Sequence, residues 1–130
     1  MTVILLRHAS AGDRDTWEGD DRLRPLDKRG RKQAEKLRDI LRGYGVTRAL
    51  SSPYVRCVQT VEPLGLEVEV DERLAEGAPL AETLSLLEEA DGAVACTHGD
   101  VIVNVLGRDL KKGAAVVLDG TAVVDELAAP

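Results

Sequence analysis

The sequence predicts an α/β fold with a mostly parallel central sheet, on two observations. Short strand-like apolar runs alternate with segments whose apolar residues recur at helical spacing, the order expected of strands and helices packed around one sheet. The first run, residues 2–6, is continuous and made of β-branched residues and Leu, as in a strand buried on both faces.

The elements follow in order. Residues 10–26 are polar, with two Gly, several Asp and a Pro, and read as a long loop at the carboxyl end of the first strand. Asp27 reads as the N-cap of a helix to about Arg42, with Ala34, Leu37, Ile40, Leu41 and Tyr44 at helical spacing and Gly43 and Gly45 as stops. A short strand is expected around residues 48–51. Ser52-Pro53 has the form of a helix start, an N-cap Ser before a Pro at the first helical position. That helix carries Arg56 in its first turns and ends near Gly65. Residues 67–70 read as a strand, and 79–90 as a helix with Leu80, Leu84 and Leu87 on one face. Residues 93–96 form a buried strand ending at Thr97-His98-Gly99, and 100–110 a helix. Residues 114–118 and 121–127 make a hairpin turning at Asp119-Gly120.

At 130 residues the chain is sized for one compact domain, residues 1–130, expected to be monomeric. With 2% aromatic residues and no Phe, its core must be built from Val, Leu, Ile and Ala. The net charge of −6 argues against nucleic-acid or anionic-membrane partners, which are held by Lys and Arg. No apolar stretch approaches the length of a membrane span, and residues 1–6 are too short for a secretory signal and lack a basic leader. A cytoplasmic location follows as an expectation, with Cys57 and Cys96 as buried free thiols. Two separated cysteines and two separated histidines are too few for a metal site, so no metal or cofactor is expected.

Both histidines fall at strand ends, His8 after the first strand and His98 after a later one. Ligands of open parallel sheets bind beyond the carboxyl ends of the strands, so residues ninety positions apart can share one pocket. Arg7 adjoins His8, and a cation directly after a buried strand is costly unless an anion meets it. Arg56 lies near a helix N-terminus, where N–H groups and the dipole favour an anion. Phosphoryl transfer needs this combination, because charge spreads over three equatorial oxygens. Arg7 and Arg56 offer forked hydrogen bonds and His98 another donor, while neutral His8 is a competent nucleophile. The resulting phosphohistidine would be hydrolysed by water. Nearby arginines are expected to keep His8 unprotonated, starting from a pKa of about 6.5.

Three segments, Leu6-Arg7-His8-Ala9, Ser51-Ser52-Pro53-Tyr54-Val55-Arg56 with Gln59-Thr60, and Thr97-His98-Gly99-Asp100, together resemble the histidine phosphatase superfamily. The resemblance runs in family order from about Val3 to Val105. It implies the phosphoglycerate-mutase-like fold, a three-layer α/β/α architecture. By that similarity His8 matches the nucleophile, Arg7 and Arg56 the phosphate-binding arginines, and His98 the second catalytic histidine. The segment 24–30 with Gln33-Ala34 resembles the family's loop and first helix; its Gly30 reads equally well as a tolerated helix glycine. Arg-His-Ala, where Arg-His-Gly is commoner, resembles the compact SixA-type phosphohistidine phosphatases, and also the phosphatase half of some bacterial two-domain Nudix proteins. Glu76 matches the family's general acid, useful for an alkoxide leaving group, or is simply an exposed loop Glu.

Only short connections separate Arg56, Glu76 and His98, so no lid domain is expected, and an open site suits a large partner. The expected substrate is therefore a phosphorylated protein carrying phosphohistidine. The alternative, motivated by Glu76, is a small phosphomonoester or nucleotide-derived phosphate. A non-catalytic phosphate-binding module on the same fold is a third reading. Trp17, in the acidic loop 13–21, either lines the mouth or anchors its loop.

Overall fold

A computed structural model describes residues 1–130. Its strands are β1 (Thr2–Arg7), β2 (Arg48–Ser51), β3 (Val68–Val70), β4 (Ala93–Thr97), β5 (Ala115–Asp119) and β6 (Ala122–Leu127). The helices are α1 (Lys28–Gly43), α2 (Val55–Val61), α3 (Leu80–Glu88) and α4 (Gly99–Leu106). The strands form one sheet in the order β3-β2-β4-β1-β5-β6. β1, β2, β3 and β4 run parallel, while β5 and β6 pair antiparallel at one edge. No helix is long and apolar enough to cross a membrane.

Alternation of side chains along the strands builds a core on each face of the sheet. Val3 and Leu5 of β1, Leu50, Ala93, Ala95, Val116 and Leu118 face Leu86, Leu87 and Ile102 of α3 and α4. Ile4, Leu6, Ala49, Val94, Cys96 and Val117 face Leu37, Leu41, Cys57 and Val61 of α1 and α2. Each fully buried Leu or Ile contributes about 1.5–3 kcal/mol, which is how a core without Phe suffices. The result is the expected three-layer α/β/α arrangement.

The helix starts vary in how they are capped. Asp27 caps α1 as expected, its Oδ1 accepting from the Gly30 N–H at 2.8 Å. Ser10 Oγ donates to the other carboxylate oxygen of Asp27 at 2.8 Å, tying the loop after β1 to α1. Gly30 is no idle glycine: a Cβ there would sit 1.8 Å from the Ser10 carbonyl oxygen. The backbone after the strand crosses α1 at that point.

Three sequence expectations need correction. Ser52 does not cap α2, which begins at Val55 with Tyr54 at its N-cap and no side-chain cap. The Ser52 hydroxyl lies against His98 instead, and the chain needs two further residues to turn into the helix. Of the expected Leu80–Leu84–Leu87 face of α3, Leu87 is buried and Leu84 packs partly buried on the core, but Leu80 is exposed and Thr83 and Leu86 are buried instead. Thr83 can turn inward because its hydroxyl donates to the Arg73 carbonyl at 2.8 Å. α4 stops at Leu106, four residues early, where Gly107 takes a left-handed conformation that ends the helix.

Candidate active site

The loops at the carboxyl ends of β1 and β4 bound a cavity of about 780 Å³. Arg7, His8, Glu76 and His98 all line it, so four of the five residues singled out in the sequence meet there. Arg56 lies behind that wall, fully buried, reaching Glu76 at 3.5 Å. The His8 and His98 rings are 5.5 Å apart, edge to face.

His8 is placed by the sheet itself. Its N–H donates to the Thr97 carbonyl at 3.0 Å, continuing the β1–β4 ladder one residue past the strand. His8 Nδ1 lies 2.8 Å from the Ala9 carbonyl oxygen. A carbonyl only accepts, so Nδ1 carries the proton and Nε2 keeps its lone pair. Burial lowers the His8 pKa from 6.5 to about 3; the Ala9 carbonyl opposes this, and the charges of His98, Arg56 and Arg7 lower it further. The sequence alone pointed only to the arginines. Loss of hydration around an imidazolium is the larger effect.

His98 is held from the opposite side. Its Nε2 lies 2.8 Å from Ser52 Oγ and 3.5 Å from Cys57 Sγ, and Tyr54 packs edge-on with ring centroids 4.5 Å apart. Nδ1 is left as the nitrogen with no protein partner. Cys57 and Cys96 are free and buried, as expected, though the contact of Cys57 with His98 was not.

Both arginines carry an unpartnered buried nitrogen. Arg7 Nη1 donates to Asp109 Oδ2 at 3.0 Å and to the Leu110 carbonyl at 2.7 Å, while Arg7 Nε has no partner. Arg56 Nη1 and Nη2 donate to the Asp21 carbonyl and carboxylate at 2.8 and 3.0 Å, and its ring neighbour is Tyr54. Arg56 Nε, too, has no partner. Most buried donors in proteins are satisfied, so two orphans in one site ask for an acceptor.

Several site residues carried no sequence signal. Asp21 accepts from Arg24 Nε at 2.9 Å as well as from Arg56, and Arg14 lies 3.6 Å away. Burial alone would raise the Asp21 carboxyl, but the Arg24 hydrogen bond and the Arg56 charge hold it below its usual range. Arg14 donates to Glu76 at 3.0 Å, and Arg14, Arg24 and Lys112 line the cavity. All but Lys112 lie in the polar loop after β1, where no periodicity separates a ligand-facing Arg from a solvated one. Asp100, in the first turn of α4, accepts from the Gly77 N–H at 2.7 Å and so fixes the loop bearing Glu76. Thr60 Oγ1 accepts from the Ala9 N–H and Gln59 Oε1 from the Leu26 N–H, at 3.0 and 2.8 Å. Trp17 donates to the Asp20 carbonyl at 3.0 Å and anchors its loop, away from the cavity lining. No group of three or more His, Cys, Asp or Glu is placed to hold a metal ion.

A chemistry follows from this geometry. An uncharged imidazole with a free Nε2, the Arg7 guanidinium and a second imidazole line a space open to solvent, and the Arg56 guanidinium, with its spare donor, is buried directly behind them. Among known structures, the protein histidine phosphatase SixA complexed with tungstate superposes with a TM-score of 0.79 at 22% identity, covering 98% of this chain and 97% of that one. A protein of Thermus thermophilus superposes with a TM-score of 0.73 at 23% identity, covering 98% and 99%. At such identities the likeness concerns the fold. A curated relative, the 8-oxo-(d)GTP phosphatase of Mycolicibacterium smegmatis, is 41% identical over 119 residues. That alignment covers 81% of this chain and 36% of the relative, so the chain spans about a third of the relative's length. The family model for the histidine phosphatase superfamily (branch 1) matches residues 3–79. A match over more than half of the chain, running through His8, Arg56 and Glu76, places this protein in the histidine phosphatase superfamily, branch 1.

Proposed function

We propose that this chain is a phosphatase that passes a phosphoryl group through His8 and acts on small, nucleotide-derived phosphates. The observation that carries the reading is the pair of orphan donors, Arg7 Nε and Arg56 Nε, beside an imidazole that burial keeps neutral. A phosphoryl group supplies acceptors for both. His8 Nε2 attacks phosphorus, Arg7, Arg56 and His98 Nδ1 neutralise the equatorial oxygens, and water then hydrolyses the phosphohistidine. Nδ1 of His8 keeps its proton, directed at the Ala9 carbonyl, throughout, which holds the ring in orientation.

Two observations support a small phosphate over a protein phosphohistidine. Glu76 is not a stray loop residue: it lines the cavity and is held by Arg14 and Arg56 at 3.0 and 3.5 Å. There it can protonate the oxygen on which an ester or anhydride leaving group departs, a service that a departing imidazole needs less. The relative at 41% identity also bears the name of a nucleotide phosphatase. The protein-phosphohistidine reading stands second, favoured by the absence of a lid over the cavity.

A matched assay decides between them. Nucleotides and a phosphohistidine peptide are offered to the same enzyme preparation under the same conditions. Preferential turnover of the nucleotide is expected. Preferential turnover of the peptide would reverse the order, and phosphate binding without turnover of either would make the chain a binding module.

A further inference from the structure

We propose that Lys112 recognises a second phosphate next to the transferred one, so that the preferred substrates are phosphoanhydrides such as nucleoside di- and triphosphates. The inference deepens the functional reading above and rests on it.

Lys112 is placed firmly against the catalytic strand. The next residue, Gly113, donates its N–H to the carbonyls of Arg7 and His8, both at 3.1 Å. The Lys112 carbonyl accepts from Gln33 Nε2 at 3.2 Å. Gly113 has φ +87, and a Cβ there would meet the Gln33 amide at 3.1 Å, so this clamp depends on glycine. Lys112 is an exposed residue at the edge of the same cavity that Arg7, His8 and Arg24 line.

Its ammonium has no counterion. Every carboxylate of the lining is engaged elsewhere: Asp109 with Arg7 and the Leu110 N–H, Asp100 with the Gly77 N–H, Asp13 with the Asp15 N–H, and Glu76 with Arg14 and Arg56. Partial burial pushes the Lys112 ammonium below its ordinary value, and the charges of Arg7, Arg24 and Arg56 push the same way against Asp27. A cation set among cations is stabilised by an added anion. One phosphoryl group is already matched by Arg7, Arg56 and His98. The cavity, at about 780 Å³, holds a good deal more than one phosphate.

In the step this predicts, His8 Nε2 bonds to the terminal phosphorus as the bridging P–O bond breaks. The bridging oxygen keeps the electron pair and leaves on the shortened phosphate chain, whose charge Lys112 offsets. Water then attacks phosphorus, the N–P pair returns to Nε2, and both water protons leave on inorganic phosphate.

The test compares kcat/KM for one nucleoside as its mono-, di- and triphosphate, in wild type, K112A and K112R. Wild type is expected to prefer the di- or triphosphate by at least about tenfold. K112A is expected to bring that ratio close to one, mainly through KM, and K112R to keep most of it. A ratio unmoved by K112A, or no preference in wild type, overturns the assignment. Phosphoenzyme formation by wild type from 4-nitrophenyl phosphate separates the two readings. Label without a polyphosphate preference removes only the role of Lys112, whereas no label removes the phosphohistidine mechanism beneath it.

Discussion

The two ends of the sheet solve opposite problems. At the amino end, Val3, Leu84, Leu87, Val105 and Leu118 line a small cavity of about 150 Å³, together with Glu88 and Asp91. At the carboxyl ends of β1, β2 and β4 lie His8, Ser52, Thr97 and His98, all buried, with Arg56 behind them. One end is held by apolar burial. The other keeps polar and charged groups out of water, which costs stability unless a ligand offsets it. The candidate site is concentrated where folding gains least.

That contrast breaks most sharply at His8. His8→Ala is expected to lower kcat by ~10⁴-fold or more, equivalent to at least about 5 kcal/mol in the barrier, with no loss of secondary structure by circular dichroism. Next comes Arg56. Arg56→Lys is expected to cut kcat/KM by roughly 10²–10³-fold, because an ammonium cannot reproduce the planar fork that spans Asp21 and a phosphate. Steady-state kinetics on the variant checks this.

The amino end should respond in stability, not in rate. Leu118→Ala removes a fully buried side chain from that cavity's wall and is expected to cost about 2–5 kcal/mol in denaturant unfolding. Its kcat and KM should match wild type well below the melting temperature. If instead activity fell with stability intact, the two ends would not be separable.

The smallest effect is in pH. His8 titrates near 6.5 when unfolded and near 3 when folded, so below pH 6.5 the unfolded chain binds the extra proton and stability falls as pH falls. At pH 5 the loss from His8 relative to pH 7.5 is about 2 kcal/mol. Asp21 and Asp27, whose carboxyls sit low in the fold, add losses of the same sign at lower pH. The difference between wild type and His8→Gln isolates the histidine: the variant should lack the part of the slope between pH 6.5 and 5. Parallel curves for the two proteins would mean that His8 is not buried neutral.

How much of this was legible beforehand follows the same division. Strands buried on both faces declare themselves as apolar runs, and so β1 and β4, each ending in a histidine, were readable from one sequence. The cap at Asp27 was readable because its hydrogen bond to the Gly30 N–H is local. Ser52 misled for the same reason. Ser-Pro is a good local helix start, but a distant partner, His98, claims the hydroxyl. Asp21, Arg14 and Lys112 stayed invisible, and Arg24 was legible only as part of a family-like loop, because their roles depend on which loops meet, and a polar loop has no period to betray the residue that faces inward. On α3, Leu84 and Leu87 reach the core as expected but Leu80 does not, because Thr83 turns inward, apolar in effect once its hydroxyl is paired.

The central claim is that His8 carries the phosphoryl group during turnover. Rapid acid-free quenching of wild-type enzyme with ³²P-labelled nucleotide, followed by peptide mapping, addresses it directly. The expected result is one acid-labile, base-stable label on the peptide containing His8, lost on adding unlabelled substrate and absent from His8→Ala. Full turnover with no label on that peptide, or equal labelling of the alanine variant, would contradict it.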